Sequence, residues 1–322
     1  MPAVVPEAGQ PWRIGVVGPG ALGTLFAGLL ALAGHDVRLL GRRAEQVAQI
    51  ARDGVRVERD GQIRRAAVRA SIDPAELGPV DLAIILVKAT DTAEAARNLP
   101  ALLGPTAPAL SLQNGLGNIE ALTAVLGKSR VLAGVSAQGA TTLGSGHVRH
   151  AGFGPCSLAE VRGGLSARAE AIAQVLDAAG LPTRAFPDPA PLIWGKLVAN
   201  AAINPLGALL RCTNGETVAR PAARQLFREL AREAGAVATA IGVTLPFPDA
   251  ADHAESVARV TSGNRNSMLQ DIESGRRTEI DAIAGAIARL GSERGVPVPA
   301  NQRITLLIRA LEEGYLPHTP PS

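Results

Sequence analysis

A short apolar run, Arg13–Val17, leads directly into Gly18-Pro19-Gly20-Ala21-Leu22-Gly23; an Ala/Leu/Gly-rich stretch then continues to about Ala33, Gly34 ends it, and His35–Leu40 reads as a second strand. This order of strand, glycine turn, helix and strand constrains the fold more than anything else in the chain. A GxGxxG pattern alone is weak, but placed after a strand and at the start of a helix it reads as a dinucleotide-binding turn. Each glycine then has its own task. Gly18 makes the tight turn, Gly20 lets the backbone approach a pyrophosphate, and Gly23 lets the helix pack closely on the strand. The helix N-terminus offers N–H groups and the positive end of its dipole to phosphates. The bland alternative is a glycine-rich turn that binds nothing.

The end of the second strand decides between cofactors. A site for NAD places Asp or Glu there to hold the ribose 2′-hydroxyl. Here Val37-Arg38-Leu39-Leu40 runs into Gly41-Arg42-Arg43 with no acid. A guanidinium can hold a 2′-phosphate bidentately, so the expected cofactor is NADP(H). If the arginines are merely solvated, the missing acid still argues against NAD.

Further strands are expected at Val55–Val57, Val80–Val87, Ala109–Leu112 and Val131–Val135, with helical segments between several of them; Gly146–Glu160 suggests a hairpin, Arg168–Ala179 a helix and Pro182–Phe186 a last strand. Alternating strands and helices imply a largely parallel sheet covered on both faces. The texture changes at Phe186-Pro187-Asp188-Pro189-Ala190-Pro191, after which strand signals vanish and helices are expected at Leu192–Leu210, Pro221–Ile241, Asp249–Thr261, Ser267–Glu273, Thr278–Arg294 and Ala300–Glu313. The expected fold is therefore α/β, an N-terminal Rossmann-type doubly wound sheet followed by an all-α C-terminal domain. The expected domains are residues 1–188, binding NADP(H), and residues 189–322, helical and carrying substrate and catalysis. A chain of 322 residues with 47% hydrophobic content can fill both cores.

Composition narrows the function classes. The net charge of +3 comes from scattered arginines, and aromatic residues make up only 2%. No clustered basic stripe or recognition motif accompanies them, so no nucleic-acid partner is expected. Cys156 and Cys212 stand far apart with no metal-ligand spacing around them. Reduced buried thiols and a cytoplasmic location follow as expectations, and no metal site is expected. Met1–Gln10 lacks the basic and apolar regions of a signal peptide, and stretches such as Leu22–Ala33 are too short to span a bilayer.

The second informative segment is Trp194-Gly195-Lys196-Leu197-Val198-Ala199-Asn200-Ala201-Ala202-Ile203-Asn204-Pro205. Lys196, Asn200 and Asn204 are its only charged or amide side chains, and spacing i, i+4, i+8 puts them on one helix face. An otherwise apolar helix is buried, so these three need partners inside the protein or in a cleft. A surface lysine is the ordinary alternative, but the rest of the helix offers water little else. A lysine lining an apolar cleft suits carbonyl reduction: it can stabilise the developing oxyanion and deliver the proton. Partial burial would lower its pKa toward the working range. The asparagine amides can hold substrate oxygens without repelling a carboxylate.

Three more segments hold candidates. Ser267-Met268-Leu269-Gln270-Asp271 precedes Thr278-Glu279-Ile280-Asp281, where capping-box-like spacing could make Glu279 a simple first-turn acid. Gln113-Asn114-Gly115 follows a strand and could be an ordinary turn, and Lys88 follows another. Ligands of open parallel sheets, however, bind beyond the carboxyl ends of the strands.

Taken together, Gly18–Gly23, Leu86-Val87-Lys88, Gln113-Asn114-Gly115, Trp194-Gly195-Lys196-Leu197, Asn200, Ile203-Asn204-Pro205-Leu206, Asn214-Gly215-Glu216, Asn264, Ser267–Asp271 and Thr278–Asp281 resemble the ketopantoate reductase family over nearly the whole chain. The resemblance implies NADPH-dependent reduction of ketopantoate to pantoate, on the way to pantothenate and coenzyme A, at a cleft between a Rossmann and a helical domain. It implies Lys196 as general acid and Glu279 as an acid that supports catalysis and contacts the cofactor. Lys196, Asn200, Asn204, Asn214, Asn264 and Ser267 fall on the substrate side. Gly18, Pro19, Gly20, Ala21, Leu22, Gly23, Arg42, Lys88, Asn114 and Ala140 fall on the cofactor side, although Gly134–Ala140 departs from the family's Thr-rich pattern. Two rivals remain: an NADP-dependent reductase of another small 2-oxo acid, and a catalytically silent NADP(H)-binding redox sensor, against which intact Lys196 and Glu279 count. The expected partner is a small 2-oxo acid, with no nucleic acid and no membrane. A homodimer is left open, since the sequence does not separate the exposed faces of the helical part from the buried ones.

Overall fold

The structure, a computed structural model, describes Pro6 and residues 10–316. The reading of the tail after Leu316, and most of that of Met1–Gln10, lies outside the described residues. By backbone contacts the chain divides into one unit of Met1–Gln113 with Gly117–Leu192 and a second of Asn114–Leu116 with Ile193–Ser322.

The first unit runs β1 (Arg13–Val17), α1 (Ala21–Leu32), β2 (Asp36–Leu40), α2 (Ala44–Asp53), β3 (Val55–Arg59), β4 (Gln62–Ala66), β5 (Arg69–Ser71), α3 (Pro74–Leu77), β6 (Leu82–Ile85), α4 (Thr92–Leu102), β7 (Ala109–Ser111), α5 (Asn118–Leu126), β8 (Val131–Gly144), β9 (His147–Glu160), α6 (Ala167–Ala178) and β10 (Thr183–Phe186). A ten-stranded sheet has the order β4-β3-β9-β8-β7-β6-β1-β2-β5, with β10 beside β9. From β5 through β2, β1, β6 and β7 to β8 every pairing is parallel. Ile14–Val17 and Leu82–Ile85 are buried without alternation, as strands covered on both faces must be.

The flanks depart from expectation. Val55–Val57 is no member of the parallel series: β3 forms a hairpin with β4 and pairs with β9 at the far side of the sheet. The turn is Asp60-Gly61, both at positive φ (50° and 75°), and this Asp-Gly pair between apolar runs was the legible signal. The place beside β2 is taken by β5, whose Arg69-Ala70-Ser71 carries no apolar run to betray it. Expected to stop at Val135, β8 continues to Gly144 and pairs with β9; register shifts after Ser136, Gly139 and Thr142 break its alternation.

The second unit takes α7 (Pro189–Leu210) from Ile193 on, with α8 (Asn214–Ala219), α9 (Pro221–Ala240), α10 (Ala250–Val260), α11 (Ser267–Glu273), α12 (Ala284–Arg294) and α13 (Pro299–Glu313). The proline cluster starts α7 instead of forming a linker: Asp188 Oδ1 accepts from the Ala190 N–H (2.9 Å), and proline is tolerated in a first helical turn. Phe227 and Leu230 are fully buried with Val198, Ala202 and Ile287 in one core; truncating such a phenylalanine to alanine costs about 3–5 kcal/mol. Expected as a single helix, Thr278–Arg294 holds one 3₁₀ turn, Ile280–Ala282, and a break at Ile283 (φ −104°, ψ −96°) before α12. Helix α8 was not foreseen, although Thr213 and Glu216 form a full capping box.

Candidate active site

In the first unit the three glycines behave as their separate tasks require. Gly18 has φ +105°, and a Cβ there would lie 2.8 Å from Val87 Cγ1. A Cβ on Gly23 would run into the Gly18 carbonyl oxygen, so α1 meets β1 at a distance only glycine allows. A Cβ on Gly20 would meet nothing within 4 Å, and Gly20 caps α1 with no side-chain bond and no acid in the first turn. The residues present therefore fit a dinucleotide pyrophosphate: open space in front of Gly20, backbone donors behind it, and no anion to compete.

Arg42 is exposed, and its guanidinium donates to Asp91 Oδ1 at 2.9 Å. Asp91 is distant in sequence and reaches Arg42 through the loop after β6, so the stretch that follows β2 gives no sign of this acid. Arg43 turns away to Gln46, whose Nε2 donates to the Pro19 carbonyl (2.9 Å) and braces the glycine turn. Lys88 and Asn114, at the carboxyl ends of β6 and β7, are half-buried. Between them Gln113 ties the loops of the first unit together: Nε2 donates to the Val87 carbonyl (2.9 Å) and to Thr92 Oγ1 (2.7 Å), and Oε1 accepts from Ser111 Oγ (3.0 Å). Nothing in the sequence marked Gln113 as that brace. Ala140 is half-buried in β8, in register with His150, where the strand shifts register.

In the second unit Lys196 and Asn200 are half-buried on α7, and Asn204, two turns beyond Lys196, is buried. Asn200 Nδ2 donates to Asn114 Oδ1 (3.4 Å), and Asn114 Nδ2 donates to Glu279 Oε2 (3.4 Å). Both bonds lie at the long end of the hydrogen-bond range. Asn114 is held in place by Gly115, at φ +81°, where a Cβ would lie 2.7 Å from Ala282 Cβ, and by the Leu116 N–H donating to the Ala282 carbonyl (2.8 Å). Glu279 is buried and precedes a single 3₁₀ turn, so the reading of a first-turn acid at an α-helix is set aside. Thr278 and Asp281 do not close a capping box: the Thr278 N–H donates to Glu312 (2.6 Å), and Asp281 accepts from Arg309 (2.8 Å).

The remaining candidates gather beside α7. Asn214 is buried at the start of α8, and its N–H donates to the Asn264 carbonyl (2.9 Å). Asn264 and Ser267 are exposed. Asn266, which the sequence reading passed over, caps α11 through its Oδ1 and donates from Nδ2 to the Ile203 carbonyl (3.4 Å), next to Asn204. Cys156 and Cys212 are buried and take part in no disulfide, and burial pushes the Cys212 thiol up.

The family profile described as ketopantoate reductase PanE/ApbA matches residues 14–163, and that of its C-terminal part matches residues 190–312. The chain belongs to this family. A 2-dehydropantoate 2-reductase of Archaeoglobus fulgidus is 38% identical over 304 residues, 94% of this chain and 98% of the relative. The crystal structure of a PanE/ApbA family ketopantoate reductase from Ralstonia eutropha is 34% identical, covers 94% of this chain and 99% of that one, and superposes with a TM-score of 0.86. A D-mandelate dehydrogenase bound to NADH and anilino(oxo)acetate is 28% identical over 94% of this chain and 99% of its own, with a TM-score of 0.88. Among the described residues, no helix is long and apolar enough to cross a membrane.

Proposed function

We propose that this ketopantoate reductase family member reduces ketopantoate to pantoate with NADPH, a step toward pantothenate and coenzyme A. The observation that carries the reading is the run Asn200–Asn114–Glu279 beside Lys196 on an otherwise apolar helix. Residues 1–188 serve NADP(H), with Gly18, Pro19, Gly20, Ala21, Leu22 and Gly23 at the pyrophosphate, Arg42 at the 2′-phosphate, and Lys88 and Ala140 along the nucleotide. Residues 189–322 serve substrate and catalysis, joined by Asn114, which with Glu279 reaches the cofactor as well. Lys196, Asn200, Asn204, Asn214, Asn264 and Ser267 bind substrate. The enzyme works in the cytoplasm, as a monomer or homodimer, with no nucleic-acid or membrane partner.

Bound NADPH supplies a hydride to the ketone carbon. Lys196 stabilises the charge developing on the ketone oxygen and gives it a proton, making the alcohol. Glu279 accepts one N–H of Asn114, and Asn114 accepts one N–H of Asn200. Asn200 keeps its second N–H for a ligand oxygen. Glu279 thereby sets the direction of both amides without placing its own charge against the substrate carboxylate.

The likeness to a D-mandelate dehydrogenase favours one other reading, reduction of a different 2-oxo acid, though at lower identity than the 2-dehydropantoate 2-reductase relative. NADPH oxidation measured against a panel of 2-oxo acids separates the two. Ketopantoate should give the highest kcat/KM, and a much better aryl substrate would overturn the assignment.

A further inference from the structure

Glu312 stands where the physics of a helix end argues against it. It is the penultimate residue of α13 and is buried, and its own carbonyl accepts from the Tyr315 and Leu316 N–H groups (3.1 and 2.8 Å). A carboxylate in a last helical turn meets the negative end of the dipole, and one taken out of water costs free energy unless donors reach it. A helix built for stability alone would carry another residue here. What Glu312 reaches is the segment leading to Glu279: Oε1 accepts from the Thr278 N–H (2.6 Å). Tyr315, three residues on, grips the same segment, its O–H donating to the Arg276 carbonyl (3.1 Å). Burial, with the charges of Glu312 and Asp271 adding to it, pushes that hydroxyl up to about 12, so it keeps the proton it donates.

We propose that Glu312 and Tyr315 are positioning residues: by holding Arg276–Thr278 they aim the Glu279 carboxylate at Asn114, and they act on the reaction only through Glu279. The proposal rests on the reading of Glu279 as an acid that supports 2-oxo acid reduction. From Glu279 onward the chain holds itself. Thr278 Oγ1 accepts from the Ile280 N–H (3.2 Å), and the Glu279 carbonyl accepts from the Ala282 and Ile283 N–H groups (both 3.1 Å). Before Glu279, residues 276–278 belong to no helix or strand. The Arg276 N–H donates to the Asp271 carbonyl (2.9 Å), and the end of α13 supplies the two bonds nearest to Glu279. The bond from Asn114 Nδ2 to Glu279 Oε2 is 3.4 Å long, so a small shift of Glu279 breaks it, and misplacing a supporting group by about 1 Å can cost roughly 10²-fold in rate.

The test is a double-mutant cycle on ketopantoate reduction with NADPH. Glu312→Met keeps the length of the side chain and removes the acceptor; it should lower kcat at least about tenfold. Glu312→Gln, whose amide oxygen still accepts from Thr278, should recover most of that loss. Tyr315→Phe removes one hydrogen bond and should lower kcat about two- to tenfold. In a Glu279→Ala background, already slow, none of the three should change kcat more than about twofold, because no carboxylate is left to aim. Losses of equal size with and without Glu279 would mark both residues as merely structural and overturn the proposal, as would a Glu312→Met enzyme with wild-type kcat; 2-oxo acid reduction would stand in either case. Should Glu312→Met fail to fold, Tyr315→Phe in the two backgrounds carries the same decision. A Glu279→Ala enzyme as fast as wild type removes Glu279 from the reaction and overturns the proposal. No turnover of ketopantoate by the wild-type enzyme overturns the proposed function, and this proposal with it.

Discussion

The pairing of Arg42 with Asp91 makes cofactor choice a quantitative matter. Both groups are solvated, with side-chain exposures of 66% and 26%, and such a pair contributes about 0–1 kcal/mol. A charge-assisted contact between Arg42 and a 2′-phosphate contributes about 1.5–3 kcal/mol. Exchanging the first for the second leaves a net preference of roughly 1–2 kcal/mol for NADPH over NADH, about five- to thirtyfold. Arg42→Ala should erase that preference and go further, because Asp91 is left beside the phosphate with its charge uncompensated. Asp91→Asn should act in the opposite direction, releasing Arg42 and removing a like charge, and raise kcat/KM for NADPH by up to about fivefold. Neither change should move kcat/KM for NADH more than about twofold, since exposed charges away from a contact matter little. The assay is steady-state oxidation of each cofactor at low and high salt, where screening should narrow the gap. Equal efficiency with both cofactors in the wild-type enzyme, or an Asp91→Asn variant poorer with NADPH, would refute this reasoning.

Other consequences can be checked directly. Lys196→Ala should lower kcat by about 10²-fold or more while NADPH still quenches or shifts protein fluorescence as in wild type; near-normal kcat returns Lys196 to the status of a surface lysine. Asn200→Ala should raise KM for the oxo acid more than the Kd for NADPH, and an equal effect on both would contradict its substrate-side role. Glu255 receives hydrogen bonds chiefly from Arg224, then from Arg228 and Arg259, which hold its carboxyl down to about 2 against an ordinary 4.5. A lowered pKa in the folded state stabilises the fold above the unfolded value and loses that contribution as pH falls through the folded one. Wild-type stability should therefore decline between about pH 4.5 and pH 2 more steeply than that of Glu255→Gln, and superimposable acid denaturation curves would disprove it.

What the sequence disclosed follows from how local each signal is. The glycine turn lies within six consecutive residues, and the stripe Lys196, Asn200, Asn204 within three helical turns; both were legible because chain geometry alone fixes them. The Asp60-Gly61 turn was equally local and was overlooked. Asp91 against Arg42, Asn114 between Asn200 and Glu279, and Glu312 behind Thr278 join residues 49, 86, 165 and 34 positions apart. No periodicity encodes such pairs; only the folded backbone brings them together. Strand β5 escaped for another reason: at the sheet's edge it needs little apolar surface, so its sequence resembles a loop.

The central claim is hydride transfer to the ketone carbon of ketopantoate, and isotope transfer tests it most directly. With NADPH deuterated at the transferring position of the nicotinamide ring, the product should be pantoate carrying deuterium on the new alcohol carbon, one label for each NADPH oxidised. Pantoate free of deuterium, or NADPH oxidised with no pantoate formed, would contradict the account.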